Sequence, residues 1–296
     1  MIMSEATMNF DLNKKIEQLV DIAVKAGNAI LEVYNRDDIA VEKKGDNSPI
    51  TEADLAAHHI IVNGLAALTP GIPVHSEESQ GITWEMRRDW KTYWLVDPLD
   101  GTKEFIKRNG EFTVNIALMH QGRPVAGVVH VPVTGVTYFG GESFGEEGFG
   151  GAGSGEGKFG AFRREAGVTE AISVRVPVEP IVMVASRSHG TDKLAALESK
   201  IEAQMGTVEL ANMGSSLKLC LVAEGKADIY PRLAPTSEWD TAAAHAVVTA
   251  AGGVVLNIEL EPLRYNKEDI LNPYFVVLGA QPQRWSYLKE VLADLA

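Results

Sequence analysis

The chain has 296 residues, 45% of them hydrophobic, and a formal net charge of -13, so it can bury a large core as one large domain or two of ordinary size. The acidic balance argues against non-specific binding to nucleic acid or to an anionic membrane surface. The single cysteine, Cys220, excludes an internal disulfide and favours a reducing compartment.

The first half of the chain predicts helices followed by an antiparallel sheet, from the spacing of its apolar residues. The predicted elements are, in chain order, a helix over 12–36, a polar turn over 43–50, a helix from Thr51, a short buried strand over 93–97 and two strands over 112–133 joined at Gln121 and Gly122. This order is typical of an α+β arrangement.

The second half alternates strand and helix patterns, which favours an α/β arrangement. The predicted elements are a strand over 181–186, a helix from about 191, a strand over 206–210, a helix from Ser215, a strand over 227–231, a helix from Asp240, strands over 252–257 and 274–280, and a helix from about 282. No internal repeat is apparent.

The junction of the halves is rich in glycine. Eleven of the 28 glycines fall between positions 140 and 167, which indicates a flexible insertion there. We therefore divide the chain into an N-terminal α+β half, 1–170, and a C-terminal α/β half, 171–296.

The stretch WLVDPLDGTKEF places Asp97 and Asp100 three residues apart around a proline. An EF-hand calcium loop starting at Asp97 is excluded, because Leu99 and Arg108 stand where oxygen ligands are needed. A surface turn suits these residue types. The preceding apolar strand argues for a metal site instead, since it brings Asp97 to a sheet edge where an unpaired carboxylate is costly. Both interpretations stay open on this stretch alone.

Three further places carry acids in comparable settings. Glu77 and Glu78 follow a short apolar segment and are either a solvated pair or ligands. Asp54 lies three residues after Thr51 in a capping-box pattern, and Asp240 is also placed to cap a helix. Each alone is explained by its structural role. Together with the first pair, they suit the hard oxygen ligands that Mg²⁺ prefers.

The combination of SEES, WLVDPLDGTKEF and WDTAAAHAVVTAAGG, in this order and separation, resembles the lithium-sensitive, Mg²⁺-dependent phosphatases of the inositol monophosphatase superfamily. The resemblance covers nearly the whole chain, from GDNSPITEAD to ILNPYF. Within the superfamily, DNSPITEADLAAHH, SRSH, GSSLKLCLVAEGKADIYPR and PTSEWDTAA look most like the CysQ-type 3'(2'),5'-bisphosphate nucleotidases. The glycine-rich stretch is longer than that family leads us to expect.

The resemblance implies a ligand set for two or three Mg²⁺ ions. Glu77, Asp97 and the backbone carbonyl of Leu99 would hold one ion. Asp97, Asp100 and Asp240 would hold a second, with Asp97 bridging. Two such ions clamp the attacking and leaving oxygens of an in-line displacement.

The resemblance also implies catalytic roles and substrate contacts. Asp54 and Thr102 would orient and deprotonate the attacking water, with Glu77 as a third catalytic group, and Glu78 in a supporting position. The expected substrate-binding residues are Gly101, Thr102, Lys103, Ser186, His189, Ser215, Lys218, Arg232 and Asp240. Ser215, Lys218 and Arg232 could instead be surface residues that only favour solubility. His189 could instead have a structural role.

The resemblance implies a layered αβαβα sandwich that hydrolyses the 3'-phosphate of adenosine 3',5'-bisphosphate to AMP and phosphate, as a step in removing a by-product of sulfur assimilation. The alternatives are inositol monophosphatase activity and a non-catalytic metal or nucleotide sensor. We expect a small-molecule substrate, no nucleic acid partner and no transmembrane segment. Cytoplasmic localisation is expected, with peripheral association at the inner membrane left open.

Overall fold

Two β-sheets and three helical layers build the chain in the computed structural model, which describes residues 12–36, 41–43, 49–142, 144–145, 148–149, 160–185 and 192–295. The helices are α1 Leu12–Tyr34, α2 Glu52–Leu68, α3 Trp84–Arg87, α4 Thr102–Ile106, α5 Asp192–Met205, α6 Leu217–Ala223, α7 Glu238–Ala250 and α8 Leu288–Leu295. A 3₁₀ turn, Pro282–Trp285, precedes the last helix.

The strands fall into two large sheets and two short hairpins. The N-terminal strands are β1 Val41–Lys43, β2 Pro49–Thr51, β3 Val74–Ser76, β4 Thr92–Asp100, β5 Thr113–His120, β6 Arg123–His130, β7 Thr137–Gly141, β8 Phe144–Gly145, β9 Gly148–Phe149, β10 Ala161–Glu165 and β11 Val168–Ile172. The C-terminal strands are β12 Ile181–Ala185, β13 Val208–Asn212, β14 Ile229–Arg232, β15 Val254–Asn257 and β16 Phe275–Leu278.

The seven-stranded sheet has the order β11-β10-β7-β6-β5-β4-β3. Its neighbours are antiparallel except for β3 and β4, which run parallel. The five-stranded sheet has the order β13-β12-β14-β16-β15, with β12 parallel to both of its neighbours and the other pairs antiparallel.

The side chains of β4 show how the layers form. Trp94 and Val96 point to one face and pack with α1 and α2, while Tyr93 and Leu95 point to the other and pack with α6 and α7. This follows from the two-residue period of a strand that is buried on both sides. The five-stranded sheet lies on the far side of α6 and α7, and α5 and α8 cover its outer face. The αβαβα sandwich expected from the resemblance is confirmed.

One glycine sets the distance between the first sheet and the central helical layer. A Cβ atom built on Gly127 of β6 would lie 2.1 Å from the carbonyl oxygen of Ala243 in α7, closer than any side chain permits. The absence of that Cβ lets α7 approach the sheet. The N-terminus of α7 thereby lies near the end of β4, where both candidate aspartates are found.

Most predicted elements are confirmed, with shifted ends. Strand β4 continues through both aspartates to Asp100, because that residue pairs with Thr113 across an irregularity in the register. Helix α7 begins at Glu238, after Ser237, so Asp240 occupies its third position instead of its first. The predicted polar turn over 43–50 overlaps β1 and β2 at its two ends, and its centre, 44–48, lies outside the described residues.

The predicted boundary between the halves, after residue 170, falls inside β11. Part of the glycine-rich stretch, including 150–159, lies outside the described residues. The division into halves therefore stays a prediction. In the described part of the chain, no helix is long and apolar enough to cross a membrane.

Candidate active site

A cavity of about 410 Å³ opens where the end of β4 meets α6, α7 and β14. The end of β4 and α4 line it from the N-terminal half, and α6, α7 and β14 line it from the C-terminal half. Seven of the residues singled out from the sequence line it, namely Asp100, Gly101, Lys103, Ser215, Lys218, Arg232 and Asp240. Its volume lies in the range of small-molecule sites.

Gly101 makes the junction between the halves tight. It adopts a left-handed backbone conformation with φ of 95°, and a Cβ atom there would lie 2.3 Å from Oγ of Ser215. Ser215 is itself left-handed, with φ of 46°, and its Oγ lies 2.8 Å from the carbonyl oxygens of both Asp100 and Glu111. The Ser215 hydroxyl, which the sequence predicted as a substrate contact, is thus hydrogen-bonded to the backbone on both sides of α4.

Asp54 serves as a helix cap and also approaches Thr102. Its Oδ2 accepts hydrogen bonds from the backbone N–H and the hydroxyl of Thr51, at 2.8 and 2.7 Å. Its Oδ1 lies 3.5 Å from Oγ1 of Thr102, which is also 3.4 Å from the carbonyl oxygen of Leu99. The cap therefore occupies one carboxylate oxygen and directs the other to Thr102. Catalytic hydrogen bonds are often this long before substrate binds.

Asp97 is almost completely buried at the point where β4 bends. Its Oδ1 accepts a hydrogen bond from the backbone N–H of Leu99 at 3.0 Å, which fixes the turn around Pro98. Burial first, and then the charges of three neighbouring carboxylates, raise the pKa of Asp97 well above its usual range. These neighbours are Glu77, Asp100 and Asp240.

Glu77 reaches Asp97 from the adjacent strand. Its backbone N–H donates to the carbonyl oxygen of Val96 at 2.9 Å, which continues the parallel pairing of β3 and β4. The side chains of Glu77 and Asp97 are close enough to share a hydrogen bond. The backbone N–H of Glu78 donates to Oγ of Ser76 at 3.3 Å, a link that holds the loop after β3.

Asp240 repeats the construction of Asp54, with a carboxylate that caps its own helix. It stands at the third position of α7, and its Oδ2 accepts the backbone N–H of Ser237 at 3.0 Å in a capping box. Burial, followed by the charge of Asp100, raises the pKa of Asp240 to about 8. Burial likewise raises the pKa of Asp100 to about 6, although the nearby Lys218 opposes the shift.

Lys218 and Arg232 form the basic wall of the cavity. Lys218 is buried, donates to the carbonyl oxygen of Ser215 at 2.6 Å and lies 5.6 Å from the ring centre of Tyr230. Burial lowers its pKa to about 8, and Arg232 adds repulsion. Within the described residues, Nε of Arg232 is buried without a hydrogen-bond partner. Two cations that repel each other and an unused donor suit an anionic group between them.

Two predicted residues, Ser186 and His189, lie outside the described residues. The structure adds others that sequence reasoning missed. Thr113 and Asn115 of β5 and Ser216 before α6 all contact Oδ2 of Asp100. Lys107, Glu111, Tyr230 and Thr236 line the cavity. The spacing of Thr113 and Asn115, two polar residues on one face of an apolar strand, was the available signal.

The donor set fits divalent metal ions in its chemistry. Asp97 is buried close to three other carboxylates, those of Glu77, Asp100 and Asp240, and burial together with their charges raises its pKa. A cation among these oxygens would offset that unfavourable concentration of negative charge. Among the described residues, however, no three acidic, histidine or cysteine side chains already converge as a complete chelating group. The individual ligand assignments therefore stay predictions.

Comparison with known proteins gives one consistent result. The model of the inositol monophosphatase family matches residues 11–293. The 3'(2'),5'-bisphosphate nucleotidase CysQ of Salmonella typhimurium is 49% identical over 264 residues, which cover 88% of this chain and 98% of that protein. The same-named protein of Haemophilus influenzae is 35% identical, over 91% of this chain and 94% of that protein.

Solved structures agree with the sequence comparison. CysQ from Bacteroides thetaiotaomicron, described as a bacterial member of the inositol monophosphatase family, is 43% identical. It superposes with a TM-score of 0.75 and covers 93% of this chain and 99% of that chain. The extragenic suppressor protein suhB from Bartonella henselae gives a TM-score of 0.69 at 26% identity, over 94% of this chain and 98% of that chain.

Proposed function

Because the chain belongs to the inositol monophosphatase family, we propose that it is a phosphatase that hydrolyses the 3'-phosphate of adenosine 3',5'-bisphosphate to AMP and phosphate. Members of this family are typically metal-dependent. The relatives that match along most of the chain carry the name of bisphosphate nucleotidases. The site described above supports a substrate of this kind, with two phosphate groups.

The observation that carries the proposal is the meeting of two opposite charge environments in one cavity. Asp100 and Asp240 line the cavity together with Lys218 and Arg232. Acidic oxygens suit the ions that accompany the reacting phosphate, whereas buried cations suit a phosphate that is held without reacting. A phosphate monoester with a single phosphate would leave the basic wall without a partner.

We propose two or three Mg²⁺ ions as the cofactor. Asp97, Asp100 and Asp240 would hold one of them, and Glu77, Asp97 and the Leu99 carbonyl another. When bound, the ions supply positive charge that stabilises the attacking and leaving oxygens. Asp54 would accept a hydrogen bond from the Thr102 hydroxyl, and this pair would orient the attacking water and take up its proton.

The remaining residues bind and orient the substrate. Gly101 and Thr102 lie at the N-terminus of α4, where backbone N–H groups suit phosphate oxygens. Lys218 and Arg232 hold the non-reacting phosphate, and Lys103 adds positive charge at the rim. Ser186 and His189 keep their predicted role as substrate contacts. The expected cytoplasmic localisation also stays a prediction.

The proposal is tested by measuring phosphate release from adenosine 3',5'-bisphosphate and from inositol 1-phosphate, each with Mg²⁺ and with excess chelator. We expect a higher kcat/KM for the bisphosphate and no turnover in chelator. A preference for inositol 1-phosphate would replace the nucleotidase assignment by inositol monophosphatase activity. Tight binding of the nucleotide without any turnover would favour the sensor alternative.

A further inference from the structure

A buried polar network joins the two halves of the chain behind one carboxylate oxygen of Asp100. The backbone N–H of Ser216, in the C-terminal half, donates to Oδ2 of Asp100 at 2.6 Å. Thr113 Oγ1 and Asn115 Nδ2, both from β5 in the N-terminal half, lie 3.4 Å from the same oxygen. Three donors thus converge on one oxygen of a single side chain.

The donors also bind one another. Oγ of Ser216 donates to Oδ1 of Asn115 at 2.9 Å and lies 2.9 Å from Oγ1 of Thr113. The Ser216 hydroxyl proton is used in the hydrogen bond to Asn115. The Thr113 hydroxyl is therefore the donor in its contact with Ser216, and it shares its proton between Ser216 and Asp100. Both hydroxyl protons, the Ser216 backbone proton and one amide proton of Asn115 therefore have an acceptor.

The network is more completely buried than the group it holds. Thr113, Asn115 and Ser216 are each at most 2% exposed, whereas Asp100 lines the cavity. Buried polar side chains are costly unless all their hydrogen bonds are made, and a fully connected network allows one arrangement only. The first sheet and the loop before α6 must therefore dock in one register for the network to close.

We propose that Thr113, Asn115 and Ser216 are positioning residues that fix the carboxylate of Asp100, holding Oδ2 so that Oδ1 faces the cavity. This inference rests on the proposed function in one respect, the role of Asp100 as a metal ligand. It assigns no direct contact with substrate to the three residues. Supporting hydrogen bonds of this kind commonly change metal affinity or activity by about 10- to 100-fold when removed.

The decisive variant is Thr113→Val, which removes the hydroxyl and keeps the shape of the side chain. Its matched control is Thr137→Val, in β7 of the same sheet. Thr137 is also at most 1% exposed and makes a side-chain hydrogen bond at 2.8 Å to His130, away from the cavity. Both variants lose one buried hydroxyl from a strand, so a general loss of stability is matched between them. Thr113→Ser restores the hydroxyl.

The measurement is the affinity of the full chain for Mn²⁺ without substrate. The electron paramagnetic resonance signal of the free ion reports how much Mn²⁺ remains unbound. Mn²⁺ replaces Mg²⁺ here because it accepts the same oxygen ligands. We expect the dissociation constant to rise about tenfold in Thr113→Val and to stay near wild type in Thr113→Ser and Thr137→Val. The Mg²⁺ concentration for half-maximal activity should rise by a similar factor, with the substrate KM at saturating Mg²⁺ unchanged.

Unchanged Mn²⁺ affinity in Thr113→Val, or equal losses in both valine variants, would overturn the inference. If Thr113→Val does not fold, Ser216→Ala gives the same test, because it keeps the backbone donor and removes only the hydroxyl that links it to β5. The proposed function fails separately. A wild-type chain that binds Mn²⁺ but does not hydrolyse the bisphosphate would refute the nucleotidase assignment and leave the positioning role intact.

Discussion

The acidic side of the site, made of Asp54, Glu77, Asp97, Asp100 and Asp240, and its basic wall, made of Lys218 and Arg232, are built in different ways. The acids lie at the ends of strands and in the first turns of helices, where the same carboxylates also hold the backbone, as Asp54 and Asp240 do. Lys218 and Arg232 are held mainly through backbone carbonyls, and Nε of Arg232 is unused in the described part of the chain. The acidic side is therefore bound into the fold, while the basic side keeps capacity for a ligand.

This difference predicts a division of labour. We predict that the acids would serve any phosphate monoester, because every such reaction needs the same charge stabilisation. The basic wall would distinguish substrates, because only some carry a second phosphate. Substitutions on the acidic side should lower turnover of all substrates, and those on the basic wall should act on the bisphosphate alone.

The largest expected effect is that of Asp97→Asn. The amide oxygen retains the hydrogen bond from Leu99 N–H, so the turn is preserved while the bridging charge is lost. We expect kcat to fall by at least ~10³ for the bisphosphate and for a small monophosphate alike, with little change in stability. Steady-state kinetics and thermal unfolding in chelator measure the two. Near-normal turnover would contradict the ligand role of Asp97.

The basic wall gives a smaller and selective effect. Arg232→Ala and Lys218→Ala would each remove a proposed charged contact to phosphate, and such a contact typically contributes about 1.5–3 kcal/mol, or about ten- to a hundredfold in kcat/KM. We expect that loss for adenosine 3',5'-bisphosphate and nearly none for a small monophosphate. Equal losses on both substrates would mean that these residues support the fold or the acidic side instead.

The pH dependence of substrate binding should separate the two cations. Burial lowers the pKa of Lys218 to about 8, so its charge is present below that pH and is lost above it. Arg232 stays charged throughout. We therefore expect KM for the bisphosphate to rise roughly tenfold between pH 7 and pH 9.5, through the loss of one charged contact. Lys218→Met should abolish this rise. A rise that persists in that variant would assign the titration to another group.

The acidic motifs could be predicted from sequence, because their chemistry is local. WLVDPLDGTKEF fixes a strand end and two carboxylates within a few residues, and the capping pattern of Thr51 and Asp54 is likewise a short-range signal. From the sequence, capping and catalysis are alternatives for Asp54. In the structure one of its carboxylate oxygens accepts the cap hydrogen bonds and the other lies 3.5 Å from the Thr102 hydroxyl, so the two roles are compatible. The layered αβαβα fold could be predicted only from the resemblance of the whole chain to a known family.

What could not be predicted is contact between the halves. The hydrogen bonds from Ser216 to Asp100 and from Ser215 to Glu111 join residues more than a hundred positions apart. No local propensity encodes such pairs. In the sequence, Thr113 and Asn115 are only polar interruptions of an apolar strand, because their hydrogen-bond partner Ser216 contacts them only in the folded chain.

The smallest expected effect tests whether Asp240 is a cap, a ligand or both. Burial raises the pKa of Asp240, so without metal ions its negative charge is disfavoured in the folded chain and an amide of the same shape should replace it at little cost. Asp240→Asn can still accept the Ser237 N–H and should leave the free energy of unfolding nearly unchanged. Asp240→Ala also loses the cap and should be less stable by about 1 kcal/mol. Urea unfolding in chelator measures this difference, and phosphate release should show that both variants are strongly impaired. If Asp240→Asn kept its activity, the Asp240 carboxylate would be a helix cap only, and Asp240 would not be a metal ligand.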